Sequence, residues 1–343
     1  MSHYNLALIG FGNVGKAFAR LLLSKQDSLK ADYEISFAVT AITTGSHGSA
    51  IDAEGIDLEK AIDLVESGGS LDELSTTVVP ENMVSLLKAA QAQVLFENTP
   101  VSYDSGQPAI DTIKAALNNG IHAVTANKGP VVHAYQELTE LAEANNVRFY
   151  FESTVMDGAP VFSLGRSGLP AAKVLAFKGV LNSTTNLILS QMEGGQSFDE
   201  AVAYAQSIGI AETDPSGDVD GWDAAIKVAA LMTVLMGIPM NPDAVDRKGI
   251  GEISSAEIEA AQQEGKRWKL VCSAERHDGH VHASVAPEMV GPESPLFIID
   301  GTTSIVQLET DVLGKLSLIE EDPGPHTTAY GLLADFINAV SSN

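Results

Sequence analysis

Gly10-Phe11-Gly12-Asn13-Val14-Gly15 follows an apolar run at residues 5–9 and opens an amphipathic one at 16–23. Three glycines at this spacing, between a strand and a helix, form a dinucleotide-binding fingerprint. Gly10 permits the tight turn, Gly12 lets backbone approach a pyrophosphate, and Gly15 lets helix pack on strand. The phosphates then sit at a helix N-terminus, which supplies local positive potential. Further along, five acids (Glu212, Asp214, Asp218, Asp220 and Asp223) precede Lys227 within residues 212–227. Asp223 and Lys227 are four apart and share a helix face. Within residues 222–236 they are the only charges, among positions that are mostly Ala, Val, Leu, Met and Ile. A helix apolar all round is buried. Ionised groups there are costly unless they pair well or do chemistry, so this pair reads as functional.

Cofactor choice stays open at the second strand. An acid there would bind a ribose 2′-OH. Residues 39–47 read Val-Thr-Ala-Ile-Thr-Thr-Gly-Ser-His, with neither an acid nor an arginine. Thr43, Thr44, Ser46 and His47 are potential donors to a 2′-phosphate, which leans slightly to NADP over NAD. Two later strand ends are polar, where open α/β sheets bind ligands: Glu97-Asn98-Thr99-Pro100 and Thr125-Ala126-Asn127-Lys128-Gly129-Pro130. Lys128, at a carboxyl strand end, faces the nicotinamide crevice. Cys272, beside Leu270 and Val271, reads as a buried structural thiol. His277, His280 and His282 surround a hairpin turn at Asp278-Gly279 and read as strand histidines rather than a metal site.

The elements that must position these groups change character along the chain. Strands are expected at 5–9, 34–42, 93–96, 122–125 and 147–152, with helices at 16–23, 83–90, 108–118 and 135–145. Such alternation means a parallel sheet with crossover helices, a doubly wound α/β domain of Rossmann type over residues 1–150. Beyond it, strands at 174–181, 268–276, 280–287 and 304–309 and helices at 184–192, 198–208 and 222–236 suggest an α+β substrate-binding and dimerisation domain over 151–304, and a helix at 327–340 closes the chain. Residues 305–343 are expected to return to the first domain.

Composition narrows the partners. The 343 residues carry a formal charge of −25, which repels nucleic acid and anionic lipid. The longest apolar stretch, 228–238, holds Thr233 and Gly237 and falls short of the ~20 residues a membrane span needs. One cysteine and no signal-like N-terminus make a cytoplasmic protein the expectation.

Taken together, residues 10–15, 125–130, 152–160, 181–189, 209–227 and 326–336 resemble homoserine dehydrogenase, a likeness that spans nearly the whole chain. The resemblance implies NAD(P)-dependent interconversion of L-homoserine and L-aspartate 4-semialdehyde, in threonine and methionine synthesis. By position it implies that Asn13, Val14, Thr99 and Lys128 contact the cofactor, with the fingerprint residues and with Gly209 and Gly324 lining its pocket. Glu212, Asp218, Asp223 and Lys227 would bind substrate, with Lys227 as proton donor and acceptor and Lys128 as its catalytic companion. Glu152, with carbonyls of Val155, Asp157 and Ala159, would hold a monovalent cation, usually sodium. A homodimer through the second domain's sheet is implied as well. A chain ending near 343 would be a short form without the C-terminal regulatory module of many relatives. It departs from the family at Met156-Asp157-Gly158, at Asn182-Ser183-Thr184 and at Asp322-Pro323-Gly324-Pro325-His326. Two other readings are a related dehydrogenase of another small amino or hydroxy acid, and a non-catalytic NAD(P) sensor. Lys128 and Lys227 speak against the sensor, which has no use for a proton shuttle.

Overall fold

Apolar runs at the N-terminal end build a sheet whose strand order reverses beside its first strand. The computed structural model describes residues 1–277 and 280–341 and separates into two units, Met1–Pro160 with Gly324–Asn343, and Val161–Pro323. In the first unit, β1 (Ser2–Ile9), β2 (Ile35–Thr43), β3 (Ser49–Ile51), β4 (Val94–Glu97), β5 (His122–Thr125) and β6 (Phe149–Tyr150) lie in the order β3-β2-β1-β4-β5-β6. Pairing is parallel except between β2 and β3. Every residue of β4 is buried, as expected of a parallel strand covered on both faces. The helices are α1 (Asn13–Tyr33), α2 (Leu58–Glu66), α3 (Met83–Ala89), α4 (Ala109–Leu117), α5 (Lys128–Ala144) and a closing helix, Pro325–Val340. Leu6 and Leu8, Phe18 and Leu22, Phe96, and Leu332 and Phe336 meet in one core. The Phe18 and Phe96 rings are 4.5 Å apart.

Among the expected boundaries, the helix placed at 16–23 runs from Asn13 to Tyr33. The helix expected at 135–145 follows a kink at Ala134 (φ −143°) within α5. The turns that precede the kink, from Lys128, are capped by Asn127 and tolerate Pro130 because first-turn N–H groups have no helical partner anyway. The strand expected over 147–152 is only Phe149–Tyr150, and Glu152 opens a 3₁₀ turn, Glu152–Thr154.

The second unit holds β7 (Val174–Val180), β8 (Asp246–Arg247), β9 (Arg267–His277), β10 (His280–Val290), β11 (Ser304–Thr310) and β12 (Gly314–Glu320), in the order β12-β11-β7-β9-β10-β8. Its pairings are antiparallel apart from β8 with β10. The β9–β10 ladder is the expected hairpin, but its turn, Asp278-Gly279, lies outside the described residues. The helices are α6 (Ser183–Glu193), α7 (Phe198–Ser207), α8 (Trp222–Leu235) and α9 (Ser255–Gln263). Helix α8 buries Ala224 through Ile226 and Val228 through Thr233, as its all-round apolar sequence requires. The expectation that residues 305–343 return to the first domain is corrected for 305–323. Strand β11 pairs with β7 and β12 with β11, so the return begins at Gly324. Among the described residues no helix is long and apolar enough to cross a membrane.

Candidate active site

The fingerprint glycines each answer to a different contact. Gly10 has φ +94°, and a Cβ there would stand 2.5 Å from the Asn98 carbonyl oxygen. The turn after β1 thus presses on the loop after β4, a second reason for glycine beside backbone conformation. At Gly15 a Cβ would meet the Gly10 carbonyl at 2.5 Å, while at Gly12 it would meet nothing within 4 Å. Gly12 is the N-cap of α1 and offers no side chain to its orphan N–H groups. An uncapped N-terminus beside open space suits a pyrophosphate. Phe11 is 2% exposed and belongs to the core, so only its backbone is left for a ligand. Asn13 is exposed and Val14 half-buried on the first turn of α1.

Across the carboxyl ends of β4 and β5 stand Thr99 and Lys128. Asn127 Oδ1 accepts from the Gly129 N–H at 3.0 Å, and its Nδ2 donates to the Thr99 carbonyl at 3.2 Å. Lys128 is therefore the first residue of α5, held by a cap that also grips the Thr99 loop. The Asn98 carboxamide is buried, and both its nitrogen and its oxygen lack a partner among the described residues. A buried donor and acceptor left open beside the fingerprint fit a ligand that carries both.

The turn after β2 corrects the sequence reading in part. Thr44 donates its hydroxyl to the Gly48 carbonyl at 3.0 Å and accepts from the His47 N–H at 2.6 Å. The His47 Nδ1 meets the Gly69 carbonyl at 3.0 Å, so it donates there. Two of the four donors offered to a 2′-phosphate are thus spent on shaping the turn, and the lean to NADP loses that support.

In the second unit two acids of the acidic segment, Asp218 and Asp223, gather at Lys227. Its Nζ lies 2.9 Å from Asp223 Oδ2 and donates to the Leu181 carbonyl at 2.6 Å. Both side chains are about seven-eighths buried, at 14% and 13% exposure. Asn182 Nδ2 donates to Asp218 Oδ1 at 2.6 Å and to Asp223 Oδ2 at 3.0 Å. Its Oδ1 caps α6 through the Thr185 N–H at 2.8 Å. One carboxamide therefore fixes two carboxylates at a helix N-terminus. Desolvation, and next the Asp223 charge, push the Asp218 carboxyl up from its ordinary range, against hydrogen bonds from Asn182 and Thr184. Asn182 and Thr184 are site residues that spacing did not reveal; the signal available was an Asn ending a strand and starting a helix. Glu212, by contrast, is exposed, and its backbone carbonyl accepts from Gln206 at 3.1 Å. Gly209 has φ +75° just past α7, a position that itself calls for glycine.

The segment expected to hold a cation lies in the first unit. Glu152 is 2% exposed and Val155 3%, and the Glu152 N–H donates to Asp335 Oδ2 at 2.6 Å. Asp157 adopts φ +38°, a conformation that non-glycine residues rarely take. Ala159 N–H donates to the Met156 carbonyl at 2.7 Å. A Cβ on Gly158 would fall 2.2 Å from the Thr327 carbonyl, so the loop packs on the start of the closing helix. Gly324 is the N-cap of that helix, and its N–H donates to Thr327 Oγ1 at 2.8 Å.

Two family models match the chain: homoserine dehydrogenase over residues 160–337, and the homoserine dehydrogenase NAD binding domain over residues 10–152. The NAD(+)-dependent homoserine dehydrogenase of Pseudomonas canavaninivorans is 35% identical, over 100% of this chain and 97% of its own. A putative homoserine dehydrogenase from Archaeoglobus fulgidus superposes with TM-score 0.87 at 30% identity, covering 99% of this chain and 100% of its own. A hyperthermophilic archaeal homoserine dehydrogenase in complex with NADPH superposes with TM-score 0.83 at 31% identity, covering 98% of both chains. The chain belongs to the homoserine dehydrogenase family, NAD(P)-dependent oxidoreductases that act on a CH–OH group.

Proposed function

We propose that this homoserine dehydrogenase carries its proton chemistry on Lys227 and its substrate ammonium on the acids around it. The carrying observation is the Asn182 bridge, which holds Asp218 and Asp223 together, with Lys227 ion-paired to Asp223. When bound, NAD(P) would supply the hydride acceptor for C4 of homoserine and the hydride donor for the aldehyde. Oxidation also releases the hydroxyl proton, which passes to the Lys227 amine. Reduction runs it back, from the ammonium to the aldehyde oxygen. The ion pair with Asp223 keeps that ammonium in place. Asp218, Asp223 and Glu212 supply the negative charge that a substrate ammonium needs.

On the cofactor side, the N–H groups at the start of α1, among Gly12, Asn13 and Val14, would hold the pyrophosphate. Gly10, Gly15 and the Phe11 backbone shape that turn, and Thr99 and Lys128 would hold the nicotinamide half. The open donor and acceptor on Asn98 support a ligand at this place. Gly209 and Gly324 are each proposed as cofactor residues on the family likeness alone. The test is absorbance at 340 nm with homoserine, run with each cofactor. Turnover with neither would end this reading. Residues 43–48 contain neither an acid nor an arginine. We therefore expect NAD and NADP to be used within about tenfold in kcat/KM, a difference of ~1.4 kcal/mol. A thousandfold preference would mean that another part of the chain reads the ribose.

Glu152, with the carbonyls of Val155, Asp157 and Ala159, would hold a monovalent cation. One buried carboxylate plus neutral oxygens is a hard-cation donor set. A homodimer through the second unit's sheet is proposed on the family likeness. Sedimentation equilibrium is expected to give twice the chain mass, and a monomer at micromolar concentration would remove the proposal. A cytoplasmic location rests on the single cysteine, Cys272, which is buried and free.

A further inference from the structure

Glu97 ends β4 with no exposed surface at all. Burial pushes its carboxyl up, against hydrogen bonds from Thr99, Thr125 and Asn127 that favour the ionised form. Oε1 accepts from the Thr99 N–H at 2.9 Å and from the Thr99 hydroxyl. Oε2 accepts from the Thr125 hydroxyl at 2.9 Å. Thr125 Oγ1 in turn accepts from the Asn127 N–H at 2.9 Å. Asn127 is the cap that places Lys128, and it also donates to the Thr99 carbonyl. The chain of bonds closes on itself: Glu97 to Thr99, Glu97 to Thr125, Thr125 to Asn127, Asn127 to Thr99.

We propose that Glu97 is a positioning residue for the cofactor, a clamp that sets the loop after β4 and the start of α5 in one fixed arrangement. The inference rests on the reading above, that Thr99 and Lys128 serve the nicotinamide half. A buried carboxylate is an expensive way to join two loops that apolar packing would join more cheaply. Its use here fits a need for fixed geometry, because small misplacements near reacting groups have large kinetic costs. The donors around Glu97 come from both the loop after β4 and the start of α5, so the clamp works through accepting oxygens at two separate points.

That geometry makes distinct predictions for three substitutions. Glu97→Ala removes both links. Glu97→Asp keeps the charge but is one methylene too short to reach both loops. Glu97→Gln keeps the links: its carbonyl serves Thr99, its amide donates to Thr125 Oγ1, and the Thr125 proton turns to the residue 97 carbonyl, already 2.9 Å away. Cofactor dissociation constants, read by NAD(P)H fluorescence on purified full-length enzyme, are expected to rise about tenfold or more for the Ala and Asp variants. Glu97→Gln should recover most of that affinity. A merely structural role would reduce the yield of folded protein without changing the constant of what folds. Should Glu97→Ala fail to fold, Thr125→Val keeps the shape, removes one link, and is expected to weaken binding about threefold. Lys128→Ala is the companion measurement. Weakened binding in Lys128→Ala with none in Glu97→Ala or Thr125→Val overturns the clamp. No change in Lys128→Ala overturns the reading on which the clamp rests. Equal losses in the Ala and Gln variants would also overturn it, because charge rather than bond geometry would then be at work.

Discussion

Lys227→Met is expected to lower kcat by about 10²–10⁴, the usual size of a lost general acid or base. Methionine keeps the length and apolar stem of the side chain while removing its charge and its exchangeable proton. The substitution also takes a donor from the Leu181 carbonyl and the cation from Asp223. Asp223 keeps its bond from Asn182, so it is not left without a donor. A stability loss of about 1–3 kcal/mol is therefore expected beside the kinetic one, below the ~3–5 kcal/mol of a fully buried orphaned charge.

Three measurements on one preparation separate the two roles of Lys227. As a proton carrier it should leave cofactor affinity nearly intact, and melting temperature too apart from that modest loss, while kcat falls steeply. As a purely structural ion pair it should lower the melting temperature while the folded fraction turns over at a near-normal rate. The second pattern would require the proton path proposed here to be withdrawn.

What was legible in the chain follows from how local each requirement is. The fingerprint could be read because its glycines are demanded by contacts within a few residues, such as a Gly15 Cβ against the Gly10 carbonyl. Helix α8 could be read because an all-round apolar sequence has one stable environment. Asn182 was named only as a departure, because its partners lie 36 and 41 residues further on. Glu97 read as a strand end for the same reason, its second partner being 28 residues away. The start of α5 was obscured by Gly129-Pro130, which reads as a breaker unless a cap is seen before it. Strand β12 was missed because its residues alternate exposed and half-buried, an edge strand with little apolar signal, and the domain boundary slipped with it. Lys269 shows the same limit in reverse. On an alternating strand it suggests the solvent side, yet it is fully buried against Asn186 Oδ1 at 2.9 Å, and burial pulls its amine down to about 8.

Asp218→Asn is expected to move activity and stability in opposite directions. Folding raises the Asp218 carboxyl above its ordinary range, chiefly by desolvation and then by the Asp223 charge. A carboxyl raised on folding binds its proton more tightly in the native state than in the unfolded one. Its contribution to stability is therefore greatest in acid and is lost as pH rises through the folded value. At neutral pH the ionised side chain works against the fold. Asparagine of the same shape can still accept from Asn182 and has no charge to desolvate, so the variant should melt higher than the parent at pH 7. The gap should close as pH falls below the carboxylate range, where the parent is protonated too. Activity should go the other way. A hydrogen bond to a charged group is worth about 1.5–3 kcal/mol, so losing the anion that faces a substrate ammonium should cut kcat/KM for homoserine about 10- to 100-fold. A raised melting temperature with unchanged kcat/KM would make Glu212 and Asp223 the ammonium ligands and leave Asp218 a bystander. A lowered melting temperature at pH 7 would contradict the burial argument itself. The expected pair of changes is the signature of a carboxylate kept, at a cost to the fold, for what it does to the substrate.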